Sequence, residues 1–284
     1  MKKLLALALC LMLFCGAGSA LAAEYANVYT NFDVRDTWEE ATEITFSDDG
    51  VTISGSGAVA DGTVVTITDE GSYILQGSCQ NGQILVDIDK TEKAQLILAG
   101  LTLTCTNSAP IYVLSADKVS LTLAPDTVNT FADGKAYTAE FTDQPNACIC
   151  SRDDLTINGA GTLNVQGNLN NGIGTKNDLR IVGGIINVNA VKNALKGNDS
   201  VAINDGTITL TAGKDAIKTD NEDKEGKGYV YISGGEISIT AGDDAIQATQ
   251  DITVTGGTIS VTATGKAVNS KGTQEIASGI INGR

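Results

Sequence analysis

The second half of the chain repeats itself, and this repeat constrains the fold more than any other feature of the sequence. The steps between the aliphatic residues that open successive repeats are 24, 22, 22, 29 and 22 residues. These anchor residues are Ile149, Ile173, Leu195, Ile217, Ile246 and Val268. A fixed period of this length is typical of a solenoid, in which each repeat packs only against its neighbours.

Each repeat contains three short runs in which apolar and polar residues alternate. In the repeat that begins at Leu195, the apolar positions continue with Val201 and Ile203, then with Ile208 and Leu210. Alternation over three to five residues rich in Ile, Val and Thr is typical of a half-buried strand. Three strands with short corners leave no room for helices, so each strand must pair with its counterpart one repeat away. We therefore predict an all-β fold, a right-handed single-stranded parallel β-helix of about 22 residues per coil.

The N-terminus has the features of an export signal. Lys2 and Lys3 precede an apolar run over residues 4–14, and Ala20–Ala22 form a small-x-small cleavage site. This pattern predicts a secretory signal peptide at residues 1–22, which is too short for a membrane span. We expect a secreted protein, extracellular or at the cell surface, with no membrane association after cleavage.

The remainder of the chain divides into a cap and a repeat domain. Residues 23–60 lack the repeat, and atypical terminal segments usually cover the open apolar end of a solenoid. We predict an N-terminal cap segment at 23–60 and a β-helix domain at 61–284. The step of 38 residues from Ile111 to Ile149 is expected to contain a loop, residues 127–145, that leaves the stack and returns.

Charge and composition exclude several classes of protein. The chain has a formal net charge of −15 and no histidine, and losing Lys2 and Lys3 with the signal peptide changes this charge to −17. The absence of histidine excludes Ser-His-Asp catalysis and His-ligated zinc. Such an acidic protein should not bind nucleic acid through charge, whereas it can bind cations, and polyanions through cations.

Aligning the repeats brings acidic residues into one column. From coil to coil this column contains Asn171, Asn193, Asp215, Asp244 and Lys266. Equivalent residues in stacked coils lie about 4.8 Å apart, so Asp215 and Asp244 should be neighbours, with Asp243 beside them and Asp220 on the adjoining loop. Carboxylates this close repel unless a cation lies between them, and calcium accepts six to eight oxygen ligands with loose geometry. We predict a calcium site formed by Asp215, Asp220, Asp243 and Asp244.

An alternative interpretation of the same column needs no metal. Asparagine and aspartate side chains at a corner can form a hydrogen-bonded ladder along the stack, with Lys266 pairing with Asp244. Both interpretations can hold at different positions of the column.

Several sequence runs, in the same order, resemble a known family. They are NGQILVDID, SAPIYVLSADKVSLTLA, PNACICSRDDLTINGAGTLNV, NALKG and KTDNEDKEGKGYVYISGGEISITAGDDAIQA. Over about residues 30–265 the chain resembles secreted bacterial carbohydrate-binding β-helix proteins of the clostridial pectin- and cellulose-binding type, which are related in fold to pectate lyases. The resemblance implies a calcium-containing right-handed β-helix that binds acidic polysaccharide. The chain departs from the family at Asp215-Ala216 and Asp244-Ala245, where the family usually has Asp-Gly, and at Lys266, where it tends to have an acid.

Three residues are candidate contacts to a glycan. Lys266 lies one coil beyond Asp244, and Tyr229 and Tyr231 should point outward and can stack on sugar rings. A row of polar residues on the third strand of each coil offers a second candidate surface, although an exposed sheet face must be polar anyway. This row consists of Asn164, Asn187, Thr209, Ser238 and Ser260.

Four cysteines remain after cleavage, in a compartment that permits disulfides. Cys79 and Cys105 occupy nearly the same corner of successive coils, so we predict that they form a disulfide. Cys148 and Cys150 flank the inward Ile149 and should point out from one strand, where they are either free thiols or weak metal ligands.

Three hypotheses of function follow. The first is a secreted, non-catalytic, calcium-containing protein that binds acidic plant glycans such as polygalacturonate. The second is a pectate-type polysaccharide lyase, in which Lys266 would be the base, although an adjacent carboxylate would keep that lysine protonated. The third is a surface structural or adhesion module that binds no glycan.

Overall fold

The computed structural model describes residues 28–277 and 279–283, so the predicted signal peptide at 1–22 lies outside the described residues. Every regular element over this part of the chain is a strand. Accordingly, no described helix is long and apolar enough to cross a membrane.

Short strands follow one another along the whole described chain. In chain order they are β1 (Thr42–Ser47), β2 (Gly50–Ser54), β3 (Ala58–Asp61), β4 (Val64–Ile67), β5 (Gly71–Cys79), β6 (Gln83–Asp87), β7 (Lys93–Cys105), β8 (Ile111–Ser115), β9 (Lys118–Leu123), β10 (Val128–Asp133), β11 (Ala147–Ser151), β12 (Asp154–Gly159), β13 (Thr162–Gly167), β14 (Asn171–Thr175), β15 (Asp178–Ile181), β16 (Ile185–Ala190), β17 (Leu195–Gly197), β18 (Ser200–Ile203), β19 (Thr207–Ala212), β20 (Ile217–Thr219), β21 (Tyr229–Ile232), β22 (Glu236–Ala241), β23 (Ile246–Ala248), β24 (Ile252–Val254), β25 (Thr258–Ala263), β26 (Val268–Ser270), β27 (Gln274–Ile276) and β28 (Ile280–Gly283).

The strands form three columns, here called face 1, face 2 and face 3. Face 1 is a ten-stranded sheet of β3, β4, β6, β8, β11, β14, β17, β20, β23 and β26. Face 2 contains β5, the first half of β7, β9, β12, β15, β18, β21, β24 and β27. Face 3 contains the second half of β7, β10, β13, β16, β19, β22, β25 and β28. The long strands β5 and β7 run through a corner, which joins faces 2 and 3 into one sheet.

The strand register confirms the alignment of the repeats. Ile84, Ile111 and Ile149 are register partners on face 1, and the five later anchors continue this column to Val268. Pairing from coil to coil is parallel, and the antiparallel pairs β1–β2 and β3–β4 lie at the N-terminal end. The prediction of an all-β chain built from parallel strands is therefore confirmed.

The residues predicted to point inward form the core. None of them is more than 2% exposed. They are Ile149, Leu155, Ile157, Ile173, Leu179, Ile181, Leu195, Ile203, Ile208, Leu210, Ile217, Ile232, Ile237, Ile239, Ile246 and Val254. Fully burying one such aliphatic side chain contributes roughly 1.5–3 kcal/mol, so the repeated apolar positions are the main source of stability.

The segment predicted as a cap has two parts with different positions. Strand β1 pairs with β5, and its side chains Ile44 and Phe46 are buried in the core at the N-terminal end of the stack. Residues 28–37, here called the strap, lie across face 2 instead. Arg180 Nε donates to the carbonyl oxygen of Val28 at 2.8 Å, and Asn158 Nδ2 donates to that of Arg35 at 2.9 Å. Side chains of face 2 thus satisfy the main chain of the strap.

The loop expected at residues 127–145 begins later than predicted. Its first residues form β10 on face 3, and residues 134–146 fold over face 1. Phe141 packs edge-on against Tyr112, with ring centroids 5.2 Å apart, and leaves Tyr112 only 1% exposed. The loop thereby covers an outward apolar cluster rather than projecting into solvent.

The predicted disulfide is wrong, because the structure has Cys79 and Cys105 as free thiols. Cys79 is the register partner of Leu103, so Cys105 lies two residues further along β7. That offset and the spacing between strands separate the two Cα atoms by about 8 Å, beyond the limit of about 7 Å for a disulfide. Cys148 and Cys150 are also free, and both are buried rather than exposed as expected. Burial raises the pKa of Cys150 to about 11, so this thiol is unreactive.

Candidate cation site

Three carboxylates meet at the corner that precedes face 1. The carboxylate oxygens of Asp215, Asp243 and Asp244 all lie within 4.8 Å of one another. Asp215 and Asp244 each stand two residues before a short strand, β20 or β23, and these strands pair in parallel. The pairing stacks the two acids one coil apart. Both are largely buried, at 5% and 8% exposure, while Asp243 is exposed.

The same corner contains the predicted ladder. The main-chain N–H of Asp215 donates to Asn193 Oδ1 at 3.2 Å, and that of Asp244 donates to Asp215 Oδ1 at 3.1 Å. One coil further, the N–H of Lys266 donates to Asp244 Oδ1 at 2.7 Å. The ladder is therefore confirmed, and it uses one oxygen of each buried carboxylate.

The second oxygen of each buried carboxylate also has a partner. Lys218 Nζ lies 2.9 Å from Asp215 Oδ2, and Asn269 Nδ2 donates to Asp244 Oδ2 at 2.5 Å. Partial burial acts to lower the pKa of Lys218, but the hydrogen bond and charge of Asp215 outweigh it and raise the pKa above its ordinary value. Lys218 is therefore charged and neutralises Asp215.

Asp243 leaves the cluster with an excess of negative charge. Its carboxylate has no ion-pair or hydrogen-bond partner among the described residues. Three carboxylates thus share one close ammonium group, and of these three that group contacts only Asp215. Carboxylates at this distance destabilise one another unless a further cation is present.

Asp220 is not part of the cluster. It follows β20, whereas Asp215 precedes it, so the strand separates the two acids. Asp220 Oδ2 lies 2.5 Å from Lys196 Nζ, and Oδ1 lies 3.8 Å from Lys218 Nζ. The structure brings together three of the four acids predicted for the site, and the fourth is neutralised by lysines.

Lys266 lies in the predicted column, but its side chain does not pair with Asp244. Its Nζ donates to Asn269 Oδ1 at 3.0 Å, while only its main chain contacts Asp244. Asn269 and Lys218 were not assigned from the sequence as partners of the two buried acids. Each stands three residues after the corner residue of its coil, and this recurring spacing is the signal that could have identified them.

Tyr229 and Tyr231 lie on face 2, away from the corner. Tyr231 is only 8% exposed and accepts a hydrogen bond from Thr255 Oγ1 at 3.3 Å. Tyr229 is half-buried and lines a 560 Å³ cleft together with Val28 of the strap and Arg180. The predicted pair of outward tyrosines does not form an exposed platform.

The donors at the corner fit a hard cation. Calcium prefers carboxylate and carbonyl oxygens and accepts six to eight of them. Asp215, Asp243 and Asp244 each bring a carboxylate oxygen to one place, and the exposed side of Asp243 leaves room for water or for an anionic ligand to complete the coordination. Zinc fits poorly, since the chain has no histidine and the cluster contains no thiolate.

Comparison with known proteins places the chain in a family. A family model described as carbohydrate-binding domain-containing protein matches residues 61–283. A protein of the same description from Acetivibrio thermocellus is 52% identical over 130 residues, and this match spans 44% of the chain and 45% of that relative. A solved structure described as the polysaccharide lyase-like protein from C. thermocellum, gadolinium derivative, is 44% identical with a TM-score of 0.82. The similarity covers 85% of this chain and 100% of that one. The chain therefore belongs to the family of carbohydrate-binding domain-containing proteins.

Proposed function

We propose that this protein is a secreted, non-catalytic, calcium-dependent binder of acidic plant polysaccharides such as polygalacturonate, built on a right-handed parallel β-helix. The observation that carries the proposal is the group Asp215, Asp243 and Asp244, whose three carboxylates share one close lysine. Family membership supports the carbohydrate ligand, and the cluster supports the cation.

Calcium would resolve a conflict of charge. A chain with a formal net charge of −15 repels a polyuronate at long range. A cation held at the corner would compensate the excess carboxylate and would still have open positions for a uronate carboxylate. The exposed Asp243 lies on the side from which such a ligand would approach.

The related solved structure adds support for a hard cation and for the fold. That protein is described as a gadolinium derivative, and gadolinium, like calcium, is a hard cation that prefers oxygen ligands. Its description as polysaccharide lyase-like supports a β-helix for this chain, as does the parallel pairing between successive coils on each face.

The lysines at the corner favour binding over catalysis. A lyase needs a neutral base beside the metal. The contacts of Lys218 with Asp215 raise the pKa of this lysine, and Lys266 Nζ is hydrogen-bonded to Asn269. The lyase-like description of the related structure keeps a lyase as the second candidate function. An unsaturated, ultraviolet-absorbing product that disappears in Lys266→Ala would establish the lyase and overturn the non-catalytic proposal.

The proposal is tested by retention on immobilised polygalacturonate in calcium and in EDTA. Wild-type protein should be retained only in calcium. The double variant Asp243→Asn, Asp244→Asn should not be retained in calcium. Asp117→Asn is the control, because Asp117 is an exposed acid that pairs with Lys93 and lies between β8 and β9, four coils before the strand β20 that follows Asp215. Equal retention in EDTA would make any bound ion purely structural. An absence of both calcium binding and glycan retention would leave a structural module as the remaining hypothesis.

A further inference from the structure

The corner with the three carboxylates also carries a column of lysines. The N–H of Lys214 donates to the carbonyl oxygen of Lys192 at 3.1 Å, and the N–H of Asp243 donates to that of Lys214 at 3.2 Å. Lys192, Lys214 and Asp243 are therefore stacked in three successive coils. The two lysine side chains are exposed, and neither has an acidic partner among the described residues.

A second pair of stacked lysines shows what is unusual about the first. Lys196 and Lys218 are register partners on face 1, so they too lie one coil apart. There the protein supplies the counter-charges, since Lys196 pairs with Asp220 at 2.5 Å and Lys218 with Asp215 at 2.9 Å. Like charges directly opposite each other on neighbouring strands are destabilising. Lys192 and Lys214 are stacked one coil apart as well, but no acid of the described residues pairs with them.

We infer that Lys192 and Lys214 bind carboxylates of an acidic polysaccharide chain that lies along this corner, parallel to the axis of the stack. The inference rests on the proposed function and specifies where and how the glycan binds. Successive coils are spaced by about 4.8 Å, and an extended 1,4-linked sugar chain advances by a similar distance per residue. One chain can therefore present a carboxylate to the cation at Asp243 and further carboxylates to the two lysines.

The test compares two double variants of equal charge. Lys192→Gln with Lys214→Gln removes the unpaired column. Lys93→Gln with Lys271→Gln removes two exposed lysines that pair with Asp117 and Glu222 elsewhere on the surface. Affinity for polygalacturonate is measured in calcium at low and high salt, with fully methyl-esterified polygalacturonate as the uncharged probe. The calcium-induced shift of the unfolding temperature reports separately on the cation site.

The double variant Lys192→Gln, Lys214→Gln should bind polygalacturonate about tenfold more weakly than the wild type at low salt, which is the loss expected for two exposed charge contacts. High salt should reduce this difference in affinity. Its calcium-induced thermal shift should equal that of the wild type, and the control variant Lys93→Gln, Lys271→Gln should bind polygalacturonate as the wild type does.

Equal affinity of both double variants would overturn the role of the lysines and leave the proposed function intact. Equal binding of the methyl ester would exclude carboxylate recognition at the lysines. Failure of the wild type to bind polygalacturonate in calcium would overturn both proposals.

Discussion

Two groups of acids in the described part of the chain differ in how their charge is compensated. Where the strap meets face 2, Asp33 of the strap pairs with Lys118 at 2.8 Å, and Arg180 bridges Asp154 and Asp178 at 2.8 Å each. At the corner before face 1, three acids share a single close lysine. The acids at face 2 are thus paired with cationic side chains of the chain itself, whereas Asp243 at the corner has no ion-pair partner among the described residues.

This difference separates acids that hold the structure together from acids that can bind a ligand. A buried carboxylate that has a buried ammonium partner and further hydrogen bonds is fully compensated and has no oxygen left for a ligand. Asp33 is such a carboxylate, because Thr156 Oγ1 also donates to it at 2.5 Å. An exposed carboxylate without a partner, such as Asp243, remains open to solvent and ions. The comparison predicts that substitutions on face 2 change stability, while those at the corner change cation binding.

The largest effect is expected when one partner of the buried pair is removed. Lys118→Met should lower the free energy of unfolding by roughly 3–5 kcal/mol, because it leaves Asp33 as an uncompensated buried charge. Urea denaturation measures the loss. Lys93→Met removes an exposed ion pair and should cost no more than about 1 kcal/mol. Equal losses in the two variants would contradict the structural role of the face 2 network.

Calcium should produce the next largest effect. Binding at the corner should raise the free energy of unfolding, by about 2.7 kcal/mol at a free calcium concentration of one hundred times Kd. Asp244→Asn keeps an oxygen for the ladder but removes a charge, so the variant should fold and lose most of the shift. Differential scanning calorimetry with and without EDTA measures it. A calcium-induced shift that survives in Asp244→Asn would mean that the ion binds elsewhere.

The buried pair should also determine how stability responds to acid. Burial acts to raise the pKa of Asp33, but the hydrogen bonds from Lys118 and Thr156 outweigh it and hold the pKa below its ordinary value. A carboxyl with a depressed folded-state pKa contributes stability that is fully present above the unfolded value of about 3.9 and is lost as pH falls through the folded value.

Asp33→Asn tests this dependence. The difference in unfolding free energy between wild type and variant should be constant from neutral pH down to about pH 5 and should narrow as the pH falls below about 4. Denaturation curves along that pH series measure the difference. A difference that stays constant with pH would show that Asp33 acts through packing alone.

The smallest effect is expected at the corner in the absence of calcium. Asp243→Asn in EDTA should change the free energy of unfolding by less than about 0.5 kcal/mol, since the side chain is exposed and unpaired. Any change should be stabilising, because the substitution relieves repulsion with Asp215 and Asp244. A clear loss of stability in EDTA would mean that Asp243 has a structural partner.

Periodicity made much of this architecture predictable. Parallel strands of equal repeat must pair with their equivalents one coil away, so the spacing of the anchors specified both the register and the inward residues. The same argument placed Asp215 above Asn193 and below Asp244, and it predicted the ladder at the corner. Contacts between equivalent positions of neighbouring coils follow from the sequence alone.

Contacts between non-equivalent positions were decided only by the tertiary structure. The strap has no repeat, so nothing in its sequence indicates that it crosses face 2, buries Asp33 against Lys118 and covers the surface around Tyr231. Asp220 is close to Asp215 in sequence, but a strand separates them, and a two-residue difference in register keeps Cys79 from Cys105. The spacing places Lys218 three residues after Asp215, but only the tertiary structure shows that its Nζ reaches to 2.9 Å from Asp215 Oδ2. A repeat determines which main-chain positions stack, while the direction of each side chain and the path of the non-repeating segments depend on packing that no period encodes.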